Sequence, residues 1–148
     1  MTSLPRSIAL IFAVAVVVNY PWELAQATLY TWPGESLNPW WHCFVASLGD
    51  GFILLAIHAA GWLALHDRGW FMRPGLNGYS LMLASGAAMA IAIELVAVHV
   101  LHRWDYAPQM PLVQGLEIGI VPITQMLVLP PLIFRLAASF PRRRIAPP

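Results

Sequence analysis

The sequence predicts an all-α integral membrane protein, built as a bundle of four membrane-spanning helices. Of its 148 residues, 59% are hydrophobic and only 10% are charged, whereas a soluble domain carries roughly 25% charged residues. The apolar residues form four stretches, each long enough to cross a hydrocarbon layer about 30 Å thick. We predict spans at about 5–30, 40–65, 78–101 and 112–138. They leave no length for a separate soluble module, so residues 1–148 form one membrane domain.

Charge and cysteine content exclude several functions. The chain has no lysine and a net charge of +1, so it offers no basic surface for nucleic acid. The single cysteine, Cys43, excludes an internal disulfide and any CxxC motif. Arg6, the apolar run after it and the segment Ala25-Gln26-Ala27 imitate a signal peptide. We interpret this stretch as a retained first span.

The second half of span one carries a polar stripe. Asn19, Glu23, Gln26 and Tyr30 follow each other at steps of four, three and four, which places them on one face of a helix. Lipid cannot satisfy such groups, so the stripe must face protein or water. Pro21 lies within it and predicts a kink.

The other three spans each contain a carboxylate. Span two places Asp50 near the bilayer midplane, between Gly49 and Gly51, whose small size allows close helix approach. Span three begins with small residues over 85–90 and ends near Glu94. Span four contains several polar residues, of which Glu117 and Thr124 are seven apart and share a face. The polar residues of span four are Gln114, Glu117, Thr124 and Gln125.

Arginines predict the orientation of the bundle. Most of them lie at the two ends of the chain or between spans two and three, and only Arg103 lies in the other two loops. The positive-inside rule therefore predicts that both termini are cytoplasmic, in a membrane of the bacterial inner type. Trp32, Trp40 and Trp41 then fit an aromatic belt at the outer interface. The inner arginines are Arg6, Arg68, Arg73, Arg135 and Arg142 to Arg144.

The four acids then fall in the outer half of the bundle, one on each helix. These candidate catalytic residues are Glu23, Asp50, Glu94 and Glu117. Arg103 can neutralise one of them. Burial and mutual repulsion favour a protonated acid beside an ionised partner, which is what a general acid and base pair requires. Alternatively, the acids bond only to neighbouring amides and specify helix packing.

The expected ligand is a lipophilic small molecule that enters from membrane lipid. The rings of Trp22, Trp104 and Tyr106 can stabilise positive charge that develops on an alkene. Three amides, Asn19, Gln26 and Gln125, complete the candidate substrate contacts. No cofactor is predicted for such chemistry.

Three other functions remain open. His42, His99 and His102 could bind a metal or haem b, although Glu94 and His99 do not share a helix face. The chain could be a non-catalytic subunit of a larger membrane complex, or a homo-oligomer. The third alternative is a proton or cation pathway through the acids, although the inner half of the bundle offers few polar side chains to continue it.

One segment resembles a known family. IELVAVHVLHRWDY, with an acid in a helix, Trp104-x-Tyr106 just beyond it, a proline-containing turn and then Glu117, resembles the small membrane carotenoid (lycopene) cyclase domains, and YPWELAQATLY resembles their opening helix. The resemblance implies acid-initiated cyclisation of a linear polyene, with Glu94 or Glu117 as proton donor. The family's Pro-x-Glu-Glu is replaced here by a single glutamate. The four-span arrangement is also similar to the sterol-isomerase and sigma-2-receptor superfamily.

Overall fold

The computed structural model describes residues 4–32 and 38–140, and most of them are helical. Four helices are long and apolar enough to cross a membrane, as predicted. They are α1 (Leu4–Gln26), α2 (Pro39–Leu65), α3 (Gly75–Glu94) and α4 (Ile120–Ser139). A short 3₁₀ turn, Ala27–Leu29, extends α1, and a π-helix, Leu95–Val100, extends α3.

Local signals account for the ends of α2. The Asn38 side chain accepts a hydrogen bond from the Trp40 backbone N–H at 3.1 Å, and Pro39 occupies the first helical position. A proline is favoured there because its missing N–H would have no partner inside the helix. At the other end, His66 adopts a left-handed conformation with φ of 55°, which turns the chain out of the helix.

The helices form a ring in which α1 lies beside α2 and α4, and α3 lies beside the same two neighbours. At the end where α2 connects to α3, the buried Trp70 fills the space between those helices. Its indole N–H donates to the His58 carbonyl at 3.1 Å, and its ring packs against Gly61 and Gly78. Phe134 of α4 packs on the same ring. This end of the bundle is therefore closed by aromatic packing.

Small residues set the helix spacing, as the sequence of span three predicted. A Cβ atom at Gly86 would lie 2.2 Å from the Met126 carbonyl oxygen of α4. A Cβ at Gly51 would lie 2.7 Å from the Phe12 ring of α1. Gly49 differs, because a Cβ there would meet no atom within 4 Å. Of the two glycines beside Asp50, only Gly51 serves helix packing.

We expect Gly86→Ala to lower the free energy of unfolding by about 1–3 kcal/mol, the usual cost of overpacking. The clash is with backbone, so α3 and α4 must separate to relieve it. Gly49→Ala is the matched control. It fills open space, and alanine favours helix over glycine by about 1 kcal/mol. Denaturant titration in detergent should show that order, and equal stability of the two variants would contradict it.

The end of the bundle opposite Trp70 is covered by what we call the cap, residues 27–32 and 101–119. It contains two antiparallel pairs of short strands. β1 (Tyr30–Thr31) pairs with β2 (Asp105–Tyr106), and β3 (Leu112–Val113) pairs with β4 (Ile118–Gly119). The first pair joins segments that are far apart in the chain, so it ties the end of α1 to the segment that follows α3.

The predicted fourth span is wrong at its start, because α4 begins at Ile120 rather than near residue 112. Residues 112–119 form a hairpin whose turn contains Gly115, with φ of 83°, and Glu117, with φ of 50°. The backbone N–H of Glu117 donates to the Val113 carbonyl at 2.9 Å and closes the turn. The hairpin's apolar residues made it resemble an extension of the helix. Arg142 to Arg144, counted above among the inner arginines, lie outside the described residues.

Candidate functional site

A cavity of about 370 Å³ lies beneath the cap and is lined by residues from all four helices. This volume falls in the lower part of the range for ligand pockets, about 300–1,000 Å³. Three carboxyl groups line it, those of Glu23 on α1, Asp50 on α2 and Glu94 on α3. The structure therefore brings together three of the four acids that the sequence singled out.

Gln125 of α4 is the centre of a buried polar network. Its side chain is 2% exposed. Its amide nitrogen lies 2.9 Å from the Asn19 amide oxygen, 2.9 Å from a Glu23 oxygen and 3.0 Å from an Asp50 oxygen. An amide has two N–H groups, so two of these three acceptors can be satisfied at a time. One side chain thus links α4 to α1 and α2.

Gln26 extends this network along α1. Its amide nitrogen donates to Glu23 at 2.8 Å and to the Gln125 oxygen at 3.1 Å. Its own oxygen accepts from the Trp22 indole N–H at 3.1 Å. Asn19 is fully buried and donates to the Ala15 carbonyl at 2.8 Å. The predicted polar stripe therefore faces protein, and each of its amides is held in one orientation.

Glu23 and Asp50 accept from the same amide, so their carboxyl groups lie close together within the amide network. Within the described parts of the chain, neither acid forms an ion pair. Two ionised carboxylates in that position would repel each other strongly. A proton shared between them relieves the repulsion, and the two groups then titrate as a pair.

Glu94 occupies a different setting at the end of α3. It is 5% exposed and accepts a hydrogen bond from the Tyr106 hydroxyl. The indole N–H of Trp104 is buried near both groups and makes no hydrogen bond of ordinary geometry. A π-helix follows directly after Glu94, and strand pairing with Tyr30 holds Tyr106 beyond it. Single-turn π segments are frequent at functional sites.

Tyr106 is expected to remain neutral at pH values where an ordinary tyrosine ionises. Burial raises the pKa of its hydroxyl, and the hydrogen bond to Glu94 raises that pKa further. Tyrosinate absorbance should therefore be the same in the wild type and in Tyr106→Phe through pH 10 or so, the ordinary tyrosine pKa. The two should differ only at higher pH. A difference that develops below pH 10 would contradict this arrangement.

The Tyr106 hydroxyl ionises more readily in the unfolded chain, so its contribution to folding is complete below about pH 10 and is lost as pH rises above that value.

Glu117 does not join the other acids. It lies on the exposed turn between β3 and β4 and does not line the cavity. The prediction that it shares a helix face with Thr124 is wrong, because the helix starts three residues after it. Arg103 does line the cavity, but in the described chain it forms no ion pair with these acids.

The predicted substrate contacts divide into two groups. Gln26, Trp104 and Gln125 line the cavity. Asn19 and Trp22 lie behind it and hydrogen-bond to the lining amides, which fixes the orientation of those amides. Tyr106 also lies behind the cavity, and its hydroxyl donates to Glu94.

The candidate metal-binding histidines are dispersed. His42 lines the cavity and its ring centroid lies 3.9 Å from that of Trp32. His99 is exposed, with its Nε2 3.0 Å from the Leu116 carbonyl oxygen, and His102 is exposed in a left-handed conformation. Over residues 4–32 and 38–140, no three His, Cys, Asp or Glu side chains are placed to hold a metal ion.

Two kinds of lining residue were not predicted as part of the site. Tyr30 lines the cavity beside Trp104, and its place on the polar stripe was the available signal. Val45, Gly49 and Ile93 form part of an apolar wall. Nothing in their sequence context separates them from residues that face lipid.

No protein-family model matches this chain, and neither does any curated protein or solved structure. The function therefore has to be inferred from the chemistry of the site.

Proposed function

We propose that this protein is a membrane-embedded acid-base enzyme that isomerises or cyclises a lipophilic, isoprenoid-like alkene. One observation carries the proposal. A single cavity among four apolar helices is lined by three carboxyl groups in two different settings. Glu23 and Asp50 share one amide donor, which suits a pair that holds a proton. Glu94 accepts from Tyr106, which suits a carboxylate that receives one.

The proposed chemistry needs no redox change. The proton held by Glu23 and Asp50 is transferred to one alkene carbon, where the π electrons form the new C–H bond. The cation left on the adjacent carbon lies near the rings of Tyr30 and Trp104, which can stabilise it. Glu94 then removes a proton from a neighbouring carbon, and the C–H electrons form a new double bond. In a cyclisation, a second double bond attacks the cation before that step. The product is an isomer of the substrate, and Glu94 then gives up the proton to solvent while the Glu23 and Asp50 pair takes one up, which restores the starting state.

The proposed location is a bacterial-type inner membrane with both termini cytoplasmic. Arg68 and Arg73 lie at the Trp70 end of the bundle, and the cap contains Arg103 alone among the described arginines. By the positive-inside rule, this distribution supports an outer position for the cap and the cavity beneath it.

The rival function, a non-catalytic subunit of a larger complex, would be favoured by a row of small residues exposed on α3. Such a row is present, because Ala84, Ala88 and Ala92 are exposed at steps of four, whereas Gly86 and Ala90 are buried and Gly86 meets the backbone of α4. The small residues are thus partly used in internal packing. The cavity lined by three acids is the feature expected of the enzyme.

The test has two stages. First, the gently purified protein is extracted with organic solvent, and the extract is examined by mass spectrometry for a retained isoprenoid or similar lipid. Second, the protein is incubated in deuterated water with that lipid, or with linear isoprenoid alkenes if none is retained. We expect an isomeric product that carries solvent deuterium on carbon, because the proton delivered to the alkene comes from an exchangeable acid.

Absence of deuterium from every recovered lipid would overturn the enzymatic proposal. If the protein also purified without lipid, the subunit function would be favoured, and co-purification from native membranes would be the next measurement. A metal present in stoichiometric amount, or a Soret band, would instead favour metal or haem binding by the histidines.

A further inference from the structure

The cavity has a side opening between α2 and α3, in the half of the bundle nearest the cap. On α2 its edge is formed by Val45, which is 47% exposed, and by the exposed Gly49 one turn later. On α3 it is formed by Ile93, which is 38% exposed. All three residues also line the cavity. We call the gap between Gly49 and Ile93 the slot.

Packing explains why the two helices separate here. At the other end of the bundle, Trp70 lies between them and contacts Gly61 and Gly78. Near the cap, no side chain of residues 4–32 or 38–140 fills the gap in this way, since a Cβ atom at Gly49 would meet none of their atoms within 4 Å. The slot faces the side of a membrane-spanning bundle, where the solvent is lipid hydrocarbon rather than water.

Polarity changes from the slot to the back of the cavity. Near the slot, α2 contributes Val45, Gly49 and Ile53, and α3 contributes Ile93. The carboxyl groups of Glu23 and Asp50, with the Gln125 amide between them, lie on the other side. An occupant that enters through the slot therefore meets apolar contacts along its chain and polar groups at its end.

We propose that the ligand is a linear lipid whose inserted end carries no negative charge, bound end-on through the slot so that the rest of its chain stays in the bilayer. This inference rests on the proposed function and narrows its substrate class. The cavity is small for a whole lipid and suits one end of it. Three carboxyl groups against a single lining arginine, Arg103, disfavour an anionic end. Gly49 then limits how bulky the chain can be where it crosses the slot.

The binding geometry can be tested without turnover. Two probes are prepared from a linear isoprenoid alcohol, one with a photoreactive diazirine beside its hydroxyl and one with the diazirine near its far end. Each probe is cross-linked to the full chain in detergent or lipid. We expect the hydroxyl-end probe to label residues around Asp50 and Glu94, and the far-end probe to label exposed residues of α2 and α3. Identical labelling by both probes, or far-end labelling of the cap, would overturn end-on insertion through the slot.

Variants of α2 test the slot itself. Gly49→Trp should reduce labelling by the hydroxyl-end probe at least tenfold. Ala60→Trp is the matched control, because Ala60 is exposed on the same side of α2 three turns away and does not line the cavity. Unchanged labelling in Gly49→Trp, or equal loss in Ala60→Trp, would contradict the slot.

A fatty acid of similar length, carrying the same diazirine beside its carboxyl group, tests whether a negatively charged end is excluded. We expect it to label the cavity residues at least tenfold less than the alcohol does. Equal labelling would overturn that part of the inference. Labelling through the slot without deuterium incorporation would leave this inference intact and count against the enzyme. Deuterium incorporation together with far-end labelling of the cap would support the enzyme and overturn insertion through the slot.

Discussion

Glu94→Gln should lower the turnover number of the proposed reaction by about 10²- to 10⁴-fold, the range usually lost with a general acid or base. Glutamine matches glutamate in shape, and its amide oxygen can still accept the Tyr106 hydrogen bond. The variant should therefore fold normally and lose only the ability to take up a proton. The rate of deuterium transfer from solvent to lipid, per mole of folded protein, is the measurement.

Glu117→Gln is the matched control for this substitution. Glu94 is the last residue of α3, and Glu117 lies three residues before α4. Unlike Glu94, Glu117 is exposed on the hairpin and lies outside the cavity. We expect Glu117→Gln to retain wild-type turnover. Full activity in Glu94→Gln would contradict the role of Glu94. An equal loss in both variants would show that the activity depends on something other than the cavity acids.

Tyr106→Phe should give an intermediate result. It removes the hydrogen bond that holds the Glu94 carboxyl group in place, and a misplacement of about 1 Å in a reacting group can cost up to about a hundredfold in rate. The loss should be in the turnover number rather than in lipid binding, because Tyr106 does not itself line the cavity.

The contrast between Glu94 and Glu117 shows what the sequence could and could not predict. Apolar runs located all four helices, because a membrane span needs about 20 consecutive apolar residues. Those runs do not show where a helix starts when a hairpin of Leu, Val and Ile residues comes before it. The segment 112–119 is apolar enough to continue a span, yet Gly115 and the left-handed Glu117 turn it back. The carboxylate was thus predicted on the wrong kind of element.

Periodicity predicted the buried side of the site better. The spacing of Asn19, Glu23 and Gln26 required one polar face, and that face does meet Gln125. The cap depends on a contact that no local pattern reports, the pairing of Tyr30 with Tyr106. The slot is equally hidden from sequence. Gly49 and Gly51 look alike beside Asp50, and only the position of α1 makes one a packing contact and leaves the other open.

Gln125→Met should lower the free energy of unfolding by about 2–4 kcal/mol, the largest stability loss we expect from a change that keeps side-chain shape. Gln125 contacts Asn19, Gln26, Glu23 and Asp50. Hydrogen bonds between membrane helices contribute about 0.6 kcal/mol each on average, and leaving buried acceptors without a donor costs more. Methionine is close to glutamine in size, so the loss measures hydrogen bonds rather than packing. Denaturant titration in detergent gives the value.

Thr124→Val is the control for Gln125→Met. Thr124 is the neighbouring residue of α4, it is exposed, and its hydroxyl donates only to the Ile120 carbonyl one turn earlier. Its replacement should change the unfolding free energy by less than about 0.5 kcal/mol, as is usual for exposed positions. A loss in Gln125→Met no larger than this would mean that the amide network contributes little to stability.

The double variant with Asp50→Asn separates a network from a set of independent contacts. Asp50→Asn alone should fold, since asparagine retains hydrogen-bonding capacity without the charge. If the Gln125 amide mainly satisfies the Glu23 and Asp50 carboxyl groups, removing one acid should recover part of the stability lost in Gln125→Met. The two effects would then be less than additive, as for residues in one hydrogen-bond network. Additive losses would mean that Gln125 and Asp50 stabilise the bundle separately. The shared proton assigned to Glu23 and Asp50 would then lack its structural basis.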